Sequence, residues 1–122
     1  MDLQKIEHDN VVNHIANNNK HAYEVLSNVD KEEHYISSVF PDLILLNKET
    51  KKPVIIIEVK RNGGIANCMQ AWKNVPNLPA TLWFIVPELE LPNAKQIAQV
   101  IGLKARFGKY TLKDGNVNVV YE

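Results

Sequence analysis

Two carboxylates and a lysine flank two apolar runs in the middle of the chain. Asp42 directly precedes Leu43–Leu46, and Glu58 and Lys60 follow Val54–Ile57. Carboxylate oxygens are ligands for hard cations such as Mg²⁺, which is often held by one or two carboxylates together with substrate phosphates. An ammonium beside such a site could act on a water or a phosphate. These residue types therefore indicate metal-dependent chemistry on a phosphate group.

The spacing of the two apolar runs predicts that the carboxylates meet. Short Val, Ile and Leu runs bounded by polar turns are typical of strands buried on both faces. If the hairpin folds symmetrically about Thr50, Asp42 lies opposite Glu58, and directly opposed residues have Cβ atoms roughly 4.5–5.5 Å apart. Two carboxylates at that spacing repel unless a cation or a proton lies between them. Side chains alternate along a strand, so Glu58 and Lys60 should share one face while Val59 points to the other.

Pro41-Asp42, a strand, a turn and then Glu58-Val59-Lys60 resemble the PD-(D/E)xK motif of the restriction-endonuclease-like nucleases. The resemblance implies an αβββαβ core over roughly residues 2–87. It also implies that Asp42, Glu58 and Lys60 are catalytic, and that both carboxylates bind Mg²⁺, for which Mn²⁺ can substitute. The backbone carbonyl of Val59 would be a further metal ligand.

A third carboxylate is expected from the first helix, over residues 2–19. Leu3, Glu7, Val11 and Ile15 recur at every fourth position and predict one slowly drifting stripe on the helix. Glu7 could simply be solvated at the edge of that stripe. Because the resembled family often supplies a Glu from its first helix, we expect Glu7 to face the metal as a ligand.

The segment after Lys60 combines glycines with cations. Gly63 and Gly64 permit positive φ and a close backbone approach, which suits a loop lying against phosphate or a simple turn into the helix Ile65–Lys73. Gln70 stands where an exonuclease branch of the resembled superfamily has Gln-x-x-x-Tyr, but Asn74 replaces the Tyr. We expect nucleic-acid contacts from five residues: Arg61, Gly63, Gly64, Gln70 and Lys73.

The remaining pattern completes an α/β fold in a single domain, residues 1–122. Residues 21–29 are predicted as a first strand, and Thr81–Val86 as a strand parallel to the one that ends in Glu58, because a helix connects them. Pro87–Pro92 is predicted as a loop. An additional helix and a hairpin turning at Asp-Gly follow the core: Ala94–Ile101, then Phe107–Leu112 and Val117–Tyr121. The prediction is a restriction-endonuclease-like αβββαβ core, with a central mixed sheet flanked by helices, plus a C-terminal helix and β-hairpin.

Composition sets the class of protein. With 122 residues, 45% of them hydrophobic and 23% charged, the chain can bury a core and is unlike disordered proteins. It has no run of eighteen apolar residues and no apolar signal core in its first ten, which argues against a membrane span or secretion. A single cysteine, Cys68, fits a reducing cytoplasm.

The charge distribution is uneven although the formal net charge is zero. Residues 1–47 carry three basic and eight acidic side chains, a net of −5, whereas residues 48–73 carry six basic and two acidic ones, a net of +4. A neutral total argues mildly against nucleic-acid binding. Phosphate binding depends on local charge, however, and the basic excess surrounds the candidate site.

The sequence therefore predicts a metal-dependent nuclease that hydrolyses DNA phosphodiester bonds. A chain this short has little spare surface for reading bases, so we expect a homodimer or a subunit of a larger nuclease assembly. One alternative is a catalytically inactive nuclease-fold module that binds nucleic acid or protein. Another is a structural α/β domain in which the Asp and the Lys form an ordinary ion pair.

Overall fold

The computed structural model describes residues 3–37, 39–61 and 64–122. Within these ranges, no helix combines the length and the apolar character that crossing a bilayer requires. The regular elements run, in chain order, α1 (Leu3–Asn19), β1 (Glu24–Ser27), β2 (Leu43–Leu46), β3 (Pro53–Val59), α2 (Ile65–Lys73), β4 (Thr81–Pro87), α3 (Leu91–Ile101), β5 (Arg106–Lys113) and β6 (Asn116–Tyr121).

The six strands form one mixed sheet in which spatial order equals chain order. β1, β2 and β3 are antiparallel neighbours. β3, β4 and β5 are parallel, because α2 and α3 carry the chain back between them, and β6 returns antiparallel to β5. The parallel pairing of β3 and β4 confirms the sequence prediction.

Helices cover both faces of the sheet. α1 buries Val11 and Ile15 against one face, together with Leu43 and Val59 from the central strands. α2 and α3 cover the other face, where Met69 and Trp72 pack in a second apolar cluster. The core therefore has two halves, and β3 contributes alternate residues to each.

The predicted α/β class and the order of the elements are confirmed. The first strand is shorter than predicted and covers only Glu24–Ser27. The predicted loop Pro87–Pro92 is wrong, because a 3₁₀ turn occupies Glu88–Glu90 and α3 already begins at Leu91. Proline suits the first turn of a helix, where its missing N–H has no intrahelical partner to lose.

The stripe predicted on α1 is buried only in its second half. Leu3 is 67% exposed and Glu7 is also exposed, whereas Val11 and Ile15 are fully buried. An α-helix has 3.6 residues per turn, so a four-residue repeat drifts about 40° at each step. By Leu3 the drift has carried the repeat out of the interface with the sheet.

Candidate active site

The antiparallel register of β2 and β3 brings Asp42 to Glu58. Leu43 pairs with Ile57, and the two following pairs keep the same register. One step outward along the ladder, Asp42 stands opposite Glu58, as predicted. A register shift occurs only at the turn end of the pair, between Leu45 and Leu46. The turn is therefore not centred on Thr50, but the register at the site is unaffected.

The two acidic residues are joined by reciprocal hydrogen bonds between backbone and side chain. The Asp42 backbone N–H donates to Glu58 Oε1 at 3.1 Å. The Val59 backbone N–H donates to Asp42 Oδ2 at 2.7 Å. Each carboxylate thus extends the strand pairing beyond Leu43, the first residue of β2, and is fixed relative to the other.

Glu58 is the buried charged residue of the described core, with 3% exposure. Its Oε2 accepts hydrogen bonds from Trp72 Nε1 at 2.9 Å and from Cys68 Sγ at 3.0 Å. These two donors lie one turn apart on α2 and point at the same oxygen. Glu58 therefore has three donors, one of them from the neighbouring strand, which offsets much of the cost of burying it.

Burial raises the pKa of Glu58 to about 6, and the nearby charge of Asp42 adds to the increase. The charge of Lys60 and the hydrogen bonds from Trp72 and Cys68 oppose it. The net increase in pKa means that burial together with Asp42 disfavours the ionised form of Glu58 more than Lys60, Trp72 and Cys68 favour it. A cation placed between the carboxylates would favour the ionised form.

Lys60 lies on the same face of β3 as Glu58, as the alternation of side chains predicts. Burial lowers its pKa, but the charges of Glu58, Cys68 and Asp42 and a hydrogen bond with Cys68 outweigh that effect, so the pKa is raised. Among the ion pairs of the described residues, none joins Lys60 directly to a carboxylate. The ammonium is therefore held beside the acidic pair and remains charged.

His8 is the α1 residue that contacts the acidic pair. Its Nε2 lies 3.2 Å from Asp42 Oδ1, and its Nδ1 lies 3.0 Å from Asp9 Oδ1. Burial lowers the pKa of His8, but its hydrogen bonds and charge interactions with Asp42 and Asp9 raise it more. An imidazole shared between two carboxylates is thus favoured in its protonated form where Asp42 faces the helix.

Glu7, the expected third carboxylate, is not brought to this pair by any described contact. Its side chain is exposed, and its charge acts on Tyr110, whose pKa is raised chiefly by burial. His8, one position later, faces Asp42 instead. The register on α1 therefore differs from the expected one, and a metal-ligand role for Glu7 stays a prediction.

Arg61 lies at the same end of β3 but beside a different neighbour. Its charge acts on Tyr110, which belongs to the cluster under α1. The Nη1 atom is buried and has no hydrogen-bond partner among the described residues. Lys60 and Arg61 thus carry positive charge toward the two opposite faces of the sheet.

The other expected nucleic-acid contacts are spread along α2. Gly64 caps the helix with a left-handed φ of 73°, which favours glycine, whereas Gly63 lies outside the described residues. Gln70 is exposed, and its Nε2 atom lies 3.5 Å from Asn74 Oδ1. Lys73, in the last turn, donates to the Gly102 carbonyl at 2.9 Å. Gln70 and Lys73 therefore lie on the exposed surface and at the C-terminal end of α2 rather than beside the acidic pair.

The oxygens of the acidic pair fit a hard divalent cation. Glu58 Oε2 has two donors, but Glu58 Oε1, Asp42 Oδ1 and Asp42 Oδ2 each have a single described partner. Each carboxylate oxygen carries two lone pairs, so three of the four oxygens keep one for a metal. In the described part of the chain, no group of three or more His, Cys, Asp or Glu is arranged to hold a metal. Mg²⁺ requires only one or two protein carboxylates when water and phosphate supply the rest.

Sequence reasoning missed His8, Cys68 and Trp72 as members of this site. Cys68 and Trp72 are four residues apart and so lie on one face of α2. A buried indole N–H usually has a hydrogen-bond partner, so the sequence indicated that Trp72 needs an acceptor but did not identify Glu58 as that acceptor. Nothing in the sequence marked His8 over Glu7.

Comparisons with family models, with curated proteins and with solved structures found no significant match for this chain.

Proposed function

We propose that this chain is a metal-dependent nuclease of the PD-(D/E)xK type, which hydrolyses phosphodiester bonds in DNA. The observation that carries the proposal is the pairing of Asp42 with Glu58 at the end of two facing strands, with Lys60 on the same face as Glu58. The order of elements from α1 to β4 is compatible with an αβββαβ core of the restriction-endonuclease-like type.

Each residue of the pair has a role that follows from its surroundings. Asp42 and Glu58 would hold Mg²⁺ or Mn²⁺, with the Val59 carbonyl as a further candidate ligand. The bound metal would polarise the scissile phosphate and lower the pKa of water. Lys60 would orient the attacking water and stabilise charge on the phosphate oxygens. Trp72 and Cys68 hold Glu58 in one orientation, so that the pair needs little rearrangement on binding.

DNA is the proposed substrate because two cations, Lys60 and Arg61, follow Glu58 at the end of β3. The basic excess around the site is smaller than predicted, since Lys48, Lys51 and Lys52 lie in the turn at the other end of the hairpin. Arg61 stays a candidate phosphate contact, and its Nη1 atom is buried without a hydrogen-bond partner within the described structure. Gly63, Gly64, Gln70 and Lys73 remain candidates for contacts along the loop and α2. The small size of the chain favours action as a homodimer or within a larger nuclease assembly.

A second candidate function is a nuclease-fold module that binds DNA or protein without cutting. The observation that favours it is the extent to which the acidic pair is already satisfied. Glu58 has three donors, and Asp42 contacts both His8 and the Val59 N–H. In that case Lys60 and His8 would serve only to neutralise two closely spaced acids.

Cleavage of supercoiled plasmid separates the two candidates. The wild-type chain should nick or linearise the plasmid in the presence of Mg²⁺ or Mn²⁺. This cleavage should stop when EDTA is added. Asp42→Asn, which preserves shape and removes charge, should abolish cleavage, whereas Asp30→Asn in an exposed loop should not change it. Metal-dependent plasmid retention on a gel without cleavage would favour the binding module instead.

A further inference from the structure

A second concave site lies at the opposite end of the parallel strands from Glu58 and Lys60. It is a cavity of about 700 Å³ between the C-terminal ends of α2 and α3 and the start of β4 and β5. Cavities of 300–1,000 Å³ are typical of sites for small molecules. Trp72 and Lys73, which were named above, also line this cavity, but Asp42, Glu58 and Lys60 do not.

The floor of the cavity is apolar. Trp72 and Leu82 are almost fully buried, at 1% and 2% exposure. Leu78 and Leu103 are only partly buried and line the walls. Covering a partly buried leucine with an apolar group is favourable by roughly 25 cal/mol of free energy per Å² of area removed from water.

The rim is basic. Lys73, Lys104 and Arg106 all line the cavity, and none of the described acidic residues does. None of the ion pairs within the described residues involves these three side chains. Lys73 is held by the Gly102 carbonyl at 2.9 Å, and the Arg106 guanidinium lies 5.0 Å from the centre of the Trp83 ring. Trp83 packs with the apolar cluster under α1, so the Arg106 guanidinium lies on the opposite face of the sheet from the cavity floor. Lys73 and Lys104 are the two cations that remain at the rim.

We propose that this cavity binds a small molecule that has an apolar body and one anionic group, a carboxylate or a phosphate. The apolar body would lie on Leu78, Leu82 and Leu103. The anionic group would lie at the rim between Lys73 and Lys104. Charge complementarity selects this class over neutral or cationic molecules, because these two lysines have no ion-pair partner among the described residues.

The proposal is tested with two fluorescent probes that share an apolar body. One is 8-anilinonaphthalene-1-sulfonate, which carries an anion, and the other is N-phenyl-1-naphthylamine, which is neutral. The full wild-type chain should bind the anionic probe saturably at one site per chain and bind the neutral probe more weakly. Competition with octanoate and with octyl phosphate then distinguishes a carboxylate from a phosphate ligand.

Charge reversal at the rim gives the matched comparison. Lys73→Glu combined with Lys104→Glu should weaken binding of the anionic probe about tenfold, since two attractive charges become repulsive, and should leave binding of the neutral probe unchanged. Lys20→Glu combined with Lys113→Glu has the same change in net charge outside the cavity and should have little effect. Both variants are checked for an unchanged thermal midpoint. Equal binding of the two probes, or equal weakening by both double variants, would overturn the proposal.

Discussion

The backbone N–H of Asp42 donates to the carboxylate of Glu58 at 3.1 Å, across two strands whose register places these residues opposite each other. The reverse bond, from the Val59 N–H to Asp42 Oδ2 at 2.7 Å, closes the arrangement. Two acids are thereby held together in a partly dry site, although their charges repel. The predictions below depend on that arrangement.

Glu58 should make the protein more stable at acidic pH. Its pKa is raised from 4.5 to about 6 in the folded chain, mainly by burial and then by Asp42. The stabilisation is therefore complete below pH 4.5 and is lost as the pH rises through about 6. The loss amounts to about 2 kcal/mol, at 1.36 kcal/mol for each pKa unit.

Urea unfolding of wild type and Glu58→Gln between pH 4 and pH 7 measures this effect. Because Gln does not titrate, the stability of the variant relative to wild type should improve as the pH rises. Glu32→Gln, in an exposed loop, removes one acidic group in the same way and serves as the control. A constant difference between wild type and Glu58→Gln across the range would show that Glu58 ionises normally.

Trp72→Phe tests the indole that holds Glu58. The substitution keeps an aromatic ring in the core but removes the Nε1 donor at 2.9 Å from Oε2. We expect a loss of about 1–3 kcal/mol in the free energy of unfolding, the cost of leaving a buried acceptor with a partner missing. Because that bond lowers the pKa of Glu58, its titration should also move to higher pH.

Trp83→Phe is the matched control for Trp72→Phe. Trp83 is only partly buried, and its ring contacts Tyr121 and Arg106 rather than Glu58. It should leave the titration of Glu58 unchanged. If both variants shift that titration equally, the specific role assigned to the Trp72 indole is wrong.

The hairpin of β2 and β3 was predictable because its signal is local. Two apolar runs of nearly equal length and a polar turn determine which residues pair, and strand alternation then determines the face of Glu58 and Lys60. The surroundings of Glu58 depend on how α2 rotates against the sheet, which is decided by packing of Met69 and Trp72. No short-range pattern contains that rotation.

The choice between Glu7 and His8 illustrates the same limit. Both residues lie one turn or so before the buried positions Val11 and Val12, and a rotation of α1 by one residue exchanges them. The interface of α1 with the sheet favours His8. The docking of the terminal hairpin beside β4 was likewise not predicted, since the parallel pairing of β4 and β5 is a long-range contact.

His8 and Glu7 are expected to differ in their effect on metal binding. His8→Ala should raise the affinity for Mg²⁺ about two- to fivefold, because the imidazole no longer occupies Asp42 Oδ1. Glu7→Ala should leave the affinity nearly unchanged, since the Glu7 side chain is exposed. Titration calorimetry at one pH measures both. If Glu7→Ala lowered the affinity for Mg²⁺ as much as Asp42→Asn does, Glu7 would again be the expected third ligand.

Lys60→Ala should separate metal binding from chemistry. The variant should still bind Mg²⁺, and somewhat more tightly, because a positive charge next to the carboxylates is gone. Plasmid cleavage should fall by about 10²-fold or more, the effect of removing one preorganised group that stabilises charge. Lys51→Ala, in the exposed turn of the same hairpin, should change neither quantity.

The double variant Asp42→Ala with Lys60→Ala extends this test. Its cleavage should be little worse than that of the poorer single variant, because residues that act as a unit are not additive. Cleavage by Lys60→Ala at the wild-type rate would remove Lys60 from the mechanism, even if the metal site were intact.

The central claim is that Asp42 and Glu58 together hold a divalent cation, and calorimetric titration of Mg²⁺ into the wild-type chain tests it most directly. We predict saturable binding of one ion per chain, absent in Asp42→Asn and retained in Asp30→Asn. No saturable heat with wild type, or identical isotherms for wild type and Asp42→Asn, would contradict the account.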